Sequence, residues 1–243
     1  MWPKRWANSA LARGFSDLLF MSPCVLCKEN EGPICQSCRQ GMGQTGEQCP
    51  RCALSTVRWA NLKAGCSECR RRRLGFDEAI AAGSYEGPLR DLCIHLKSVH
   101  SAWLASWGVD LLMETRGDRL RASAADLIVP VPLHWRRRLK RGYNQSQVIA
   151  NGLAAKLQVP LQKVLFRTSP TPKLAQRGRG EREEIMHGVF QASSRFDLKG
   201  KTVLLVDDIL TTGATCGASA RALKKAGAKR VIAVVLARAE GLI

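Results

Sequence analysis

Residues 202–227 constrain the fold of this chain more than any other segment. They begin with an apolar run at 203–206, which predicts a buried parallel strand, and the run ends in two acids, Asp207 and Asp208. A short polar loop follows, and then an Ala-rich helix that is closed by a glycine. A strand, a loop and a helix in this order predict an α/β fold with a ligand site at the carboxyl end of the sheet.

The polar loop suggests what this ligand contains. It consists of Thr211, Thr212, Gly213, Ala214 and Thr215. Its backbone N–H groups, its hydroxyls and the helix N-terminus can hold a phosphate, and the glycine permits close approach. The two acids before the loop repel phosphate, so they fit neutral hydroxyls or Mg²⁺ instead. A ribose 5-phosphate meets both requirements, and an ordinary strand–turn–helix unit with a Thr cap is the alternative.

The segment resembles one known signature closely. It contains neither the Gly-x-x-x-x-Gly-Lys-Ser/Thr pattern of a P-loop nor the Gly-x-Gly-x-x-Gly pattern of a dinucleotide site. Residues 203–215 resemble the phosphoribosyl pyrophosphate (PRPP) signature of type I phosphoribosyltransferases. The resemblance implies that Asp207 and Asp208 are the catalytic acids, which hold the ribose hydroxyls directly or through Mg²⁺. It also implies that residues 211–215 bind the 5-phosphate.

Cysteine spacing predicts metal in the first part of the chain. Eight of the ten cysteines form four Cys-x-x-Cys pairs, which are Cys24/Cys27, Cys35/Cys38, Cys49/Cys52 and Cys66/Cys69. Two such pairs supply four thiolates for one tetrahedral ion, so the segment predicts two structural Zn²⁺ sites. Sequential grouping of the pairs is favoured over cross-bracing, but spacing alone leaves both open. A redox role for one pair is the main alternative.

The charge of the chain indicates a class of partner. The formal net charge is +18, or about +14 once two Zn(Cys)₄ sites contribute −2 each. This excess favours a polyanion such as nucleic acid, with a basic protein that has no such partner as the alternative. No export signal and no membrane span are predicted, because Arg13 and Asp17 interrupt the first apolar stretch and no run reaches about 18 apolar residues. Reduced Cys pairs without an export signal predict a cytoplasmic location.

The composition turns apolar near residue 76, which predicts a Cys-rich domain at 20–75 and an α/β domain at 76–243. A short helix at 8–20 is predicted to pack on the protein. Further strands are predicted at 79–85, 126–132, 164–167 and 229–236, and further helices at 89–100, 103–115 and 144–157. The i, i+4 spacing of Trp103 and Trp107 predicts that both lie in the core.

Two clusters of cations are candidates for anion binding. Arg136, Arg137, Arg138, Lys140 and Arg141 are five cations in six positions, which suits pyrophosphate or a nucleic-acid backbone. The four arginines at 70–73 are either a solvated linker or a phosphate-contacting patch. Aromatic residues make up only 6% of the chain, so a base-stacking platform is not indicated.

The whole chain resembles the ComF family. The resemblance rests on the four Cys pairs, the PVPLH…RRLKRGYNQ block at 130–145 and the DDILTTGAT loop at 207–215. It covers about residues 20–238. It implies a type I phosphoribosyltransferase-like parallel sheet with flanking helices, preceded by a small Cys-rich double zinc ribbon. The family is associated with natural competence, in which single-stranded DNA is taken up.

The same resemblance implies that residues 168–184 form a flexible lid over the site, with a plain disordered connection as the alternative. The family pattern there is Thr-Pro-x-Gln, then Leu, then Arg-x-x-Asn. This chain retains Thr171, Pro172 and Arg182, but it carries Leu174, Arg177 and Ile185 where Gln, Leu and Asn are expected. The change weakens the expectation of catalysis more than that of ligand binding.

Two functions follow from these features. The first is a PRPP-binding protein of phosphoribosyltransferase fold that acts in competence-type DNA uptake, binds single-stranded DNA and works with other DNA-uptake proteins. The alternative is an active phosphoribosyltransferase of nucleotide metabolism with an unknown acceptor. Thr211 occupies the position at which purine-salvage relatives carry a base-contacting acid, which disfavours a 6-oxopurine acceptor.

Overall fold

A computed structural model describes residues 23–29, 32–43, 46–55, 65–168 and 188–239. The helix predicted at 8–20 and almost all of the predicted lid at 168–184 lie outside these residues.

A four-stranded parallel sheet forms the centre of the fold. In chain order, its strands are β1 Glu78–Ser84, β2 Leu127–Pro130, β5 Thr202–Leu210 and β6 Arg230–Arg238. They are arranged in the spatial order β1-β6-β5-β2. The two inner strands are nearly continuous apolar runs because both faces of the sheet are covered. A separate antiparallel pair is formed by β3 Leu165–Arg167 and β4 Phe190–Ala192. The predicted α/β class with a parallel sheet is confirmed.

Six α-helices are present in the described part of the chain. They are α1 Gln36–Met42, α2 Gly87–His95, α3 Leu104–Ala122, α4 Trp135–Arg141, α5 Gln145–Leu157 and α6 Ala214–Lys225. The helix predicted at 89–100 ends early, and a 3-10 turn at Val99–Ser101 follows it. The helix predicted at 144–157 is confirmed, with Asn144 as its N-cap. No helix in the described residues is long and apolar enough to cross a bilayer.

The Cys-rich segments pack against both faces of the sheet. Alternate residues of β5 and β6 belong to two separate core layers, as expected for side chains that point to opposite faces. Cys49, Cys52 and Cys69 lie in the layer that contains α6. Cys24 and Cys35 lie in the other layer, with α2, α3 and α5. The predicted domain boundary at residue 75 stays a prediction.

The prediction that Trp103 and Trp107 both lie in the core was wrong. Trp103 is 46% exposed and lies at the N-cap of α3, which begins at Leu104. Trp107 is half-buried, and the guanidinium of Arg39 lies 4.7 Å from the centroid of one of its rings. The spacing places both residues on one face, but this face is only partly buried at Trp107 and is exposed at Trp103.

Candidate functional site

The acid pair lies where β5 extends beyond β2. The pairing of the two strands ends at Val206, one residue before Asp207. On that side the first turn of α5 contacts the acids. Ser146 Oγ donates to Asp207 Oδ1 at 2.8 Å, and Gln145 Nε2 donates to Asp208 Oδ2 at 3.1 Å. The Asn144 cap therefore starts a helix whose first two residues hold both carboxylates.

Burial gives Asp207 unusual electrostatics. Burial and then the neighbouring Asp208 carboxylate raise the pKa of Asp207 to about 8. On the opposite side, the Sγ of Cys216 lies 3.9 Å from Asp207 Oδ2, and burial raises the pKa of this thiol well above its usual value. The acid pair therefore favours a bound proton or cation, and carboxylate oxygens of this kind suit Mg²⁺.

Two arginines hold the carbonyl groups of the polar loop. Arg238 Nη1 donates to the carbonyls of Leu210 at 2.9 Å and Thr211 at 2.6 Å, and Arg72 Nη2 donates to the carbonyl of Thr212. Since the C=O and N–H of a trans peptide point in opposite directions, the N–H groups of Thr212 and Gly213 are turned away from the arginines. The described residues offer no hydrogen-bond acceptor to either N–H.

The loop continues directly into α6. Gly213 is the N-cap of this helix and has a φ of +85°, a conformation that favours glycine. Thr212 is buried, and its hydroxyl accepts from the Ala214 N–H at 3.4 Å. Within the described chain, the N–H groups of Thr215 and Cys216 have no acceptor either. The loop and the helix N-terminus thus present a group of backbone donors to an anion.

Arg238 is a residue that the sequence did not identify. Its side chain is only 4% exposed, and its Nε donates to the carbonyl of Cys52 at 2.9 Å. It therefore connects a cysteine turn to the loop. The only signal for this role in the sequence is a cation at the end of a buried strand. Its partner Cys52 is 186 positions away in the chain.

The eight paired cysteines form two groups of four. Cys24, Cys27, Cys35 and Cys38 make one group and Cys49, Cys52, Cys66 and Cys69 the other, with all sulfurs of a group within 4.8 Å of one another. Sulfur–sulfur distances of 3.5 to 3.8 Å within these groups match the roughly 3.8 Å of a tetrahedral ion bound at about 2.3 Å. The sequential grouping is thus the one observed. Both groups could bind zinc.

The cationic clusters have different environments. Residues 136–141 lie on α4, and the side chains of Arg136, Arg137 and Lys140 are outside the described ones. Arg141 is half-buried, while Arg138 is exposed and lines a cavity at the edge of the sheet. In the cluster at 70–73, the Nη2 of Arg72 donates to the polar loop. Arg72 is therefore not a solvated linker residue, and its Nη2 is not free to contact a ligand phosphate. The anion-binding roles of residues 136–141 stay predictions.

Comparison with known proteins agrees with this geometry. The phosphoribosyl transferase domain family matches residues 144–241, which contain the α5 turn, the acids, the loop and Arg238. Competence protein F of Haemophilus influenzae is 27% identical over 227 residues, 89% of this chain and 96% of that protein. The DNA utilization protein YhgH of Salmonella typhimurium is 26% identical over 86% of this chain and 93% of its own length. Competence protein ComFC of Bacillus subtilis is 24% identical over 88% of this chain and 86% of its own length.

The chain is a homologue of the ComF proteins. The resemblance to the ComF family is therefore confirmed, and so is the predicted combination of a phosphoribosyltransferase-like sheet with a Cys-rich region that could hold zinc. The ComF relatives align along most of the chain, so the similarity includes the cysteine segment that the matched domain leaves out.

Proposed function

We propose that this protein binds PRPP with Mg²⁺ and acts in competence-type DNA uptake, with single-stranded DNA as a partner. The acid pair beside a loop of unused backbone donors carries the PRPP part of the proposal. Relatives named competence protein F, competence protein ComFC and DNA utilization protein support the DNA part.

The side chains of the site fit the parts of PRPP. The carboxylates of Asp207 and Asp208 hold the ribose hydroxyls or Mg²⁺, and the backbone donors of residues 211–215 hold the 5-phosphate. Gln145 adds a further acceptor, because its Oε1 is buried without a hydrogen-bond partner while its Nε2 holds Asp208. A buried acceptor of this kind gains a partner when a ribose hydroxyl or a metal-bound water enters the site.

We expect PRPP with MgCl₂ to raise the melting temperature of the wild-type protein, because a ligand that binds only the folded state stabilises it. The Asp208→Asn and Asp207→Asn variants should lose this increase. Without ligand, Asp207→Asn should be at least as stable as wild type at pH 8, because the change removes repulsion between two neighbouring carboxylates. Differential scanning fluorimetry measures both effects.

The response should also depend on pH. Asp207 has a raised pKa of about 8, so it is protonated at pH 6 and becomes a metal-binding carboxylate as the pH rises to 9. PRPP affinity in Mg²⁺ should therefore increase over this range in wild type, and Asp207→Asn should show no such increase. A wild-type protein that shows no shift with PRPP at any of these pH values would contradict the proposed site.

For the DNA part, the net charge of +18 predicts that phosphate contacts dominate binding. We expect a fluorescent oligo-dT strand to bind at 50 mM salt and to lose affinity steeply by 200 mM. Fluorescence polarisation measures the slope. Absence of binding at low salt, or tight binding that salt leaves unchanged, would remove this part of the proposal while leaving the PRPP site intact.

The alternative of an active phosphoribosyltransferase shares the same acids and loop. The two proposed functions differ in turnover, since an enzyme releases pyrophosphate from PRPP when its acceptor is supplied. Pyrophosphate release with a panel of bases and amines therefore separates them.

A further inference from the structure

A cavity of about 470 Å³ opens at the edge of the sheet, beside β2. Helix α4, the start of α5 and strand β3 form its walls. Three aromatic residues line it, which are Trp135, Tyr143 and Phe166. Every charged residue that lines it within the described chain is a cation, and these are Arg138, Lys163 and Arg167.

Two of the aromatic side chains face the solvent. Trp135 is 59% exposed and Phe166 is 53% exposed. Phe166 points outward because side chains alternate along β3 and its neighbour Leu165 takes the buried side. Tyr143 is held in place by its hydroxyl, which donates to the carbonyl of Leu96. Exposed rings of this size beside cations are characteristic of surfaces that stack unpaired bases.

The cavity and the acid pair lie on opposite sides of the start of α5. Gln145 and Ser146 contact the acids, whereas Gln147 and Val148 line the cavity. Asn144, which begins the helix, also lines the cavity, and its Nδ2 is held by the carbonyl of Val131 at 3.0 Å. A strand bound in the cavity would therefore leave the acid pair open to its own ligand.

We propose that this cavity is where single-stranded nucleic acid binds, with unpaired bases stacked on Trp135 and Phe166 and phosphates at Arg138 and Lys163. The inference rests on the proposed function, which includes single-stranded DNA as a partner. It adds the surface on which that DNA binds. The low aromatic content predicted no stacking platform, but the fold brings together rings from α4, from residue 143 and from β3. Duplex DNA cannot use such a site, because its bases are already stacked.

The test compares oligo-dT with an abasic strand of equal length, which keeps the phosphates and lacks the bases. Trp135→Ala and Phe166→Ala should each weaken oligo-dT binding roughly tenfold, as expected for one lost stacking contact, and leave abasic binding nearly unchanged. Trp103→Ala is the matched control, because it removes an exposed tryptophan outside the cavity and should leave both affinities unaltered. Lys163→Gln should lower the salt slope by about one.

Stabilisation by PRPP, measured in each variant, reports whether the fold is intact. If Trp135→Ala loses the stabilisation by PRPP, its fold is impaired, and Phe166→Ala then tests the same cavity because Phe166 lies on β3 rather than on α4. Variants that keep wild-type affinity for oligo-dT would overturn this interface while the proposed function stands. A wild-type protein that binds no single strand at low salt would overturn this interface together with the DNA part of the proposed function.

Discussion

Removal of zinc should lower the melting temperature by more than about 10 °C and also abolish the response to PRPP. Structural zinc contributes about 10 kcal/mol or more of folding free energy in small domains, and 1 kcal/mol corresponds to roughly 2–4 °C in a chain of this size. The loss should extend to the ligand site because Arg238 binds both the Cys52 turn and the polar loop. A Zn(Cys)₄ site in the group of Cys52, with its charge of −2, would also balance this buried cation.

Elemental analysis of reductively purified protein should find two zinc ions per chain, and scanning fluorimetry with a chelator then measures stability and the PRPP response. Cys66→Ser and Cys27→Ser form a matched pair, because each removes one ligand from a different group. Both should reduce stability, but only Cys66→Ser, whose group includes Cys52, should lose the PRPP response. Protein without zinc, or equal PRPP responses in the two variants, would contradict this coupling.

The sequence predicted those parts of the fold that depend on short spacings. The α5 helix depends on residues close together in the chain, and so does the strand that carries Asp207 and Asp208. The sequential grouping of the cysteines was favoured by the sequence, but spacing alone left cross-bracing open, and the structure decided between them. Trp103 shows the limit of such reasoning, because an i, i+4 spacing predicts a shared helix face but not whether that face is buried.

Contacts between distant segments were not predictable in this way. Nothing near Asp207 in the chain indicates that Ser146 will donate to it, since 61 positions separate the two residues. Arg238 ends an apolar strand and would be expected to reach solvent. It is buried instead, because the Cys52 turn and the loop surround it with carbonyl groups. The sequence predicted a loop with donors that suit an anion, but it did not indicate which groups orient those donors.

Arg238→Ala should therefore impair the PRPP site without removing any group that contacts PRPP. The change removes the Arg238 donor from the carbonyls of Cys52, Thr211 and Ala239, whereas the carbonyl of Leu210 keeps the Ala239 N–H, and each unsatisfied buried acceptor costs about 1–3 kcal/mol. We expect the free energy of unfolding to fall by at least about 3 kcal/mol. PRPP affinity should fall roughly tenfold or more, because the N–H groups of the loop are no longer held toward the phosphate and hydrogen bonds to charged groups contribute about 1.5–3 kcal/mol each.

Arg119→Ala provides the matched control for this variant. Arg119 also binds the Cys52 turn, since its Nη2 donates to the carbonyl of Pro50 at 3.1 Å, and it pairs with Glu78 at 3.6 Å. It makes no contact with the polar loop among the described interactions. Its loss should reduce stability but leave PRPP affinity, measured by isothermal titration calorimetry, close to that of wild type. If both variants weaken PRPP binding equally, general destabilisation explains the effect, and Arg238 does not position the loop.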